Sequence, residues 1–131
     1  MIVTLSNGKR VANFSSPHSF TFEDGSILPA HSEEVSEYLK VNFIETELED
    51  GDIMLHFTLS EQVENAMNEY MEMWSLGMVD VVFCPLPMIT AIKENTAYGL
   101  DYLIESPFRS IRQEDRIKKL VSIHKQCVWE S

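Results

Sequence analysis

The amino-acid sequence predicts an α+β domain: a mainly antiparallel sheet of hairpins, partly closed, decorated by two helices. Three observations carry this expectation. Turn signals at Asn7-Gly8, Asp24-Gly25 and Glu49-Asp50-Gly51-Asp52 separate segments whose apolar residues alternate. Helical spacing begins only at Ser60. Two helices then fall between short apolar segments of the second half. With 131 residues, 44% hydrophobic and 24% charged, the chain suits one globular domain spanning 1–131, large enough to bury a core without staples.

The elements follow in order. Ile2, Val3 and Leu5 lead into Asn7-Gly8, and Val11-Ala12-Asn13-Phe14 continues on the far side of that hairpin turn. Ser15-Ser16-Pro17-His18 is a turn. Phe20 and Phe22 alternate with polar residues, as a strand with one buried face requires. Asp24-Gly25 turns the chain into Ser26-Ile27-Leu28, which Pro29 ends. From Ser36 to Leu59 the period stays at two. Tyr38, Val41 and Phe43, then Ile53, Leu55 and Phe57, are strand material around the Glu49–Asp52 turn. Ser60 is an N-cap with Glu61 in the positive first turn, Val63, Met67, Tyr70 and Trp74 recur at helical spacing, and Gly77 is the stop.

Val79 to Phe83 reads as a central strand. Pro87 takes the first position of a second helix that runs to about Tyr98 and ends at Gly99. Asp101 to Glu105 is expected as a strand, Ser106-Pro107 and Gln113-Glu114-Asp115 as turns, and Arg116 to Ile123 as a final strand. The spacing of Ile117, Leu120, Val121 and His124 also suits a helix over 114–127, and that alternative stays open.

Charge is distributed unevenly. The formal net charge is -11, and Glu33 to Glu72 holds twelve acidic residues against one base, Lys40. Such a surface repels duplex DNA and RNA, whose binding depends on neutralising phosphates. It is either a solvated face that keeps the protein soluble or a mimic of nucleic acid aimed at a basic groove. Against this background, Pro107 to Ser131 carries six Lys/Arg and three Asp/Glu. Arg109, Arg112 and Arg116 beside Phe108 point to a local anion: a phosphate, a nucleotide or an acidic patch. Arg109 and Arg112 lie on opposite faces if the segment is extended and converge in a turn. Phe108 would then stack on a base while Arg109 grips a phosphate. The alternative is pairing with the protein's own acidic face, internally or across a dimer.

Motifs for catalysis and cofactors are missing from the sequence. It has no glycine-rich phosphate loop, no dinucleotide fingerprint and no His-Glu-x-x-His. No cofactor is expected. The histidines are scattered, so only folding would assemble a metal site. Cys84, at a strand end, is a position nucleophiles take, but a lone Cys there also suits a core. His18 either contacts a ligand from its turn or fixes that turn through backbone hydrogen bonds. Met67, Met71, Met73 and Met78 around Trp74 form an adaptable partner surface or pack against the sheet or a second copy. No segment has the roughly 20 apolar residues of a membrane span. Without a charged leader before an apolar run, a reduced, cytoplasmic protein is expected.

Four segments together resemble a known family: Ser15-Ser16-Pro17-His18-Ser19-Phe20, Asp24-Gly25 with Pro29, Val79 to Thr90, and Asp101 to Ile123. Their order is similar to that of the anti-Thoeris proteins of tailed phages and prophages, which sequester a cyclic ADP-ribose immune signal. The resemblance implies a decorated antiparallel domain that forms dimers or larger oligomers. It also implies non-catalytic capture of a nucleotide-derived messenger in the host cytoplasm, at a site shared between protomers. By matched position, Arg109 and Arg112 would hold phosphate, Phe83 or Phe108 would stack on adenine, and Asn95 and Asp115 would be polar contacts. Arg10 or a partner chain would supply a further cation. The long acidic middle and the Cys84-Pro85-Leu86-Pro87 turn depart from that pattern.

Overall fold

The computed structural model describes residues 1–128. In chain order the elements are β1 (Ile2–Thr4), β2 (Arg10–Asn13), β3 (Phe20–Phe22), β4 (Ile27–Leu28), α1 (Glu33–Tyr38), β5 (Asn42–Glu47) and β6 (Ile53–Thr58). There follow α2 (Glu61–Ser75), β7 (Val81–Phe83), α3 (Leu86–Asn95), α4 (Leu100–Ile104), β8 (Phe108–Asp115) and β9 (Leu120–Cys127). The α+β class holds. Seven strands form one sheet in the order β1-β2-β7-β8-β9-β3-β4, and β5-β6 stands apart as a two-stranded hairpin.

The large sheet is mixed where a mainly antiparallel one was expected. β1–β2, β3–β4 and β8–β9 pair antiparallel, whereas β2–β7, β7–β8 and β3–β9 pair parallel. The antiparallel pairs are the local hairpins. The parallel pairs arise because helices bridge them: α1 and α2 lie between β2 and β7, and α3 and α4 between β7 and β8. A parallel neighbour requires such a crossover.

Four helices are present among the described residues where two were expected. Ser32 caps α1, its Oγ accepting from the Val35 N–H, so Ser36 to Tyr38 is helical and the period-two segment starts later, at Asn42. α2 follows the expectation: Ser60 Oγ accepts from the Val63 N–H at 3.2 Å, and Gly77 ends the helix at φ 73°. α3 stops at Asn95, and Gly99 (φ 53°) opens α4 where it was expected to close α3. The expected strand Asp101–Glu105 is therefore α4. Its five-residue length holds too little pattern to separate the two periods, and packing of the buried Leu103 decides. β8 runs through the expected turn at Gln113–Asp115, and the chain reverses over 116–119, with Lys119 at φ 56°. The alternative helix over 114–127 gives way to β9.

β7 is buried on both sides, as an interior parallel strand should be. Its side chains alternate between two cores. Val82 and Cys84 join Ala12, Phe14 and Phe108 against Val63 and Met67 of α2, Met88, Ile89 and Ile92 of α3, and Leu103 of α4. Val81 and Phe83 join Leu5, Val11, Phe22, Leu28 and Val121, all from strands or strand ends, so the sheet packs on itself. The turn of the β1–β2 hairpin is tied across the sheet: the Ser6 N–H donates to Asp24 Oδ2 of the β3–β4 turn at 2.7 Å, and Asn7 Nδ2 to the Ile123 carbonyl of β9 at 3.0 Å. Desolvation opposes ionisation of Asp24, but the Ser6 and Ser26 N–H groups outweigh it and hold the carboxyl down at about 2.

Candidate functional site

Phe83, Phe108 and Arg109 come together, because β7 and β8 pair in register with Phe83 opposite Arg109. Both rings lie inside the cores and offer no face to a ligand in this structure. Phe108 meets Phe14 edge-on at 6.0 Å, and Phe83 meets Phe22 at 5.8 Å. The Arg109 guanidinium is occupied. It donates to the carbonyls of Leu103 (2.6 Å) and Ile104 (2.9 Å) at the C-terminus of α4, where Leu103 also accepts from Ser106, and to the Phe108 carbonyl (2.7 Å). Burial pushes its pKa down. This is a structural post for a cation, made from backbone oxygens.

The other matched residues lie apart. Arg112 is exposed and pairs with Glu114 at 3.3 Å. Asp115 Oδ1 accepts from the N–H groups of Ile117 (2.9 Å) and Lys118 (3.0 Å), shaping the β8–β9 turn. Asn95 donates to the carbonyls of Phe57 (2.9 Å) and Ala91 (2.8 Å), fastening β6 to α3. His18 engages its turn through its backbone, the N–H donating to Ser16 Oγ at 3.1 Å, while the residue itself is exposed. Arg10 pairs with Asp80 at 3.2 Å, and hydrogen bonds from the Arg10 backbone and side chain hold the Asp80 pKa below its usual value.

Cys84 is buried, and desolvation pushes its thiol pKa far up, so the reactive thiolate is suppressed. Among the described residues no group of three or more His, Cys, Asp and Glu is placed to hold a metal ion.

A cleft lies elsewhere, at the carboxyl ends of the parallel neighbours β2 and β7, the position open α/β sheets favour for ligands. Its framework is one buried side-chain amide. Asn13, buried at the end of β2, donates through Nδ2 to the carbonyls of Ser16 (3.0 Å) and Pro29 (3.2 Å) and accepts from the Ser16 N–H at 2.8 Å. Its own carbonyl meets His31 Nε2 and the Tyr70 hydroxyl. One side chain thus folds the loop over 14–18 back on the segment after β4. The signal was in the sequence, as an Asn leaving a strand ahead of Ser-Ser-Pro, but its partners are brought in by the fold. Ser36 Oγ then donates to the Ser15 carbonyl at 2.6 Å and pins α1 over the loop.

Between this loop, α1, the start of β5 and the Pro85-Leu86-Pro87 entry of α3 lies an open cleft of about 430 Å³. Ser15, Ser36, Glu37, Lys40, Phe43 and Pro85 supply most of its chemistry. Its volume lies within the range of small-molecule sites, and an apolar wall with a few polar groups is their usual construction. Comparison with models of known families, with curated proteins and with solved structures returns no match to this chain.

Proposed function

We propose that the protein is a non-enzymatic capture protein that holds a nucleotide-type messenger, of the cyclic ADP-ribose kind, in the cleft beneath α1. The lining of that cleft is the observation that supports it: one exposed cation (Lys40), one exposed aromatic ring (Phe43) and two serines around about 430 Å³. Lys40 suits a phosphate, Phe43 a stacked base, and Glu37 a ribose hydroxyl or an exocyclic amine. The ligand class follows from the resemblance to the anti-Thoeris proteins, and with it a role in phage anti-defence. The site moves off Phe83 and Phe108, whose rings are buried, and off Arg109, which already gives three hydrogen bonds to backbone carbonyls. Capture without cleavage agrees with a buried, protonated Cys84.

The test is calorimetry against cyclic ADP-ribose isomers and cyclic di- and trinucleotides. Lys40→Ala is expected to weaken binding by about 1.5–3 kcal/mol, as loss of a charge-assisted contact does. Phe43→Ala is expected to cost about 1–3 kcal/mol through lost stacking. Absence of heat from every ligand, with the protein shown to be folded, would sink the proposal. The acidic, apolar β5–β6 hairpin favours a second function, inhibition of a basic protein. That function predicts salt-sensitive retention of such a protein from lysate, unaffected by Lys40→Ala.

A further inference from the structure

The β5–β6 arm stands outside both cores. Its strands pair over six residues each, from Asn42 opposite Thr58 to Glu47 opposite Ile53. Register places Phe43, Ile53 and Leu55 on one face and Ile44 and Met54 on the other. Phe43, Ile44, Ile53 and Leu55 are each 56–58% exposed. A two-stranded hairpin is marginal in water without a covered face, and apolar side chains wet on both faces mark an interaction surface. Asn95 and the packing of α3 hold only its base.

Charge indicates the occupant. From Asn42 to Thr58 the arm carries Glu45, Glu47, Glu49, Asp50 and Asp52 and no Lys or Arg. The β8–β9 turn is its complement: Arg116, Lys118 and Lys119 flank Ile117, which is 93% exposed, while Arg112 of β8 is already paired with Glu114. Asp115 holds that turn in shape. Among the described residues no ion pair joins the turn to the arm. An acidic surface with apolar side chains and a basic surface with an apolar tip therefore sit on one chain, each unmatched.

We propose that the arm of one copy docks on the basic β8–β9 turn of a second copy, each giving and receiving the contact about a two-fold axis. A foreign basic protein would satisfy the arm but would leave the turn uncovered. A second copy covers both. Reciprocity also doubles the surface a slender arm buries, toward the roughly 800 Å² per partner of a stable interface. Phe43, at the base of the arm, also lines the cleft, so the docking contact rests on the arm's carboxylates with Ile53 and Leu55 and not on what the cleft binds.

The test is a charge-reversal exchange read by sedimentation and light scattering. The wild type is expected to be dimeric at low salt, its apparent Kd rising at least about tenfold between roughly 50 and 500 mM salt. Glu45→Lys with Glu47→Lys should give a monomer, and so should Arg116→Glu with Lys118→Glu. All four positions are exposed, so thermal unfolding of each variant should match the wild type. Mixing the two variants restores complementary signs at both contacts and should restore the dimer. A wild type that stays monomeric at low salt, or variants that fail to associate when mixed, would overturn the proposal. So would association that persists in each variant alone.

Discussion

The β1–β2 hairpin and the β5–β6 hairpin begin from the same instructions and end in opposite surroundings. Each has apolar residues flanking a turn that requires a glycine at positive φ: Gly8 at 83° in one, Gly51 at 89° in the other. Val11 of the first is fully buried because β7 pairs alongside and β4 packs across from it. Leu55 of the second has no such cover. Local pattern decides that a hairpin forms. Long-range pairing decides whether its apolar face is core or surface, and an uncovered one is available for work outside the domain.

That contrast can be broken most severely from the core side. Phe108→Ala removes a ring at the junction of β8, Phe14 and α4 and is expected to cost about 3–5 kcal/mol, read by chemical denaturation. A smaller effect comes from the tie that curls the sheet. The Asp24 carboxyl has a folded pKa depressed to about 2 from its ordinary 3.8, so its contribution is present above about pH 4 and is lost as pH falls toward 2. Asp24→Asn should flatten the acid limb of the pH–stability profile in that window and leave stability at pH 7 lower than the wild type. The smallest effect is expected on the arm. Leu55→Ser, measured at dilute protein concentration, should shift stability by no more than about 0.5 kcal/mol. A loss comparable to that of Phe108→Ala would show that the arm is core after all.

What was legible in the sequence were features whose cause is local. Asn7-Gly8, Asp24-Gly25 and the Ser60 cap each act within a few residues, and each appears where expected. Hidden features depend on distant partners. α4 becomes a helix through the burial of Leu103, with Arg109 closing its end from the next strand. The parallel pairs have no turn to announce them. At the candidate site the same division holds: the Ser15–His18 turn was readable, but not that Asn13 would gather Ser16 and Pro29 around one amide. Arg109 misled for a physical reason. A helix terminus offers a guanidinium carbonyl oxygens much as a ligand would offer phosphate oxygens, and sequence does not distinguish the two.

The parallel register of β3 with β9 sets the order in which the molecule can assemble. Thr21 finds its partner Leu120 about a hundred residues later, and β9 lies between the β3–β4 hairpin and β8 in the sheet. Before Val121 arrives, Leu5, Val11 and Leu28 of the early strands can sit against Phe22, but the β9 side of that core is open. Pairing at such sequence separation slows folding relative to a sheet of local hairpins. During that delay the early hairpin is the segment most open to mispairing between chains, so expression at lower temperature or with chaperones should improve the folded yield more than stabilising α2 would.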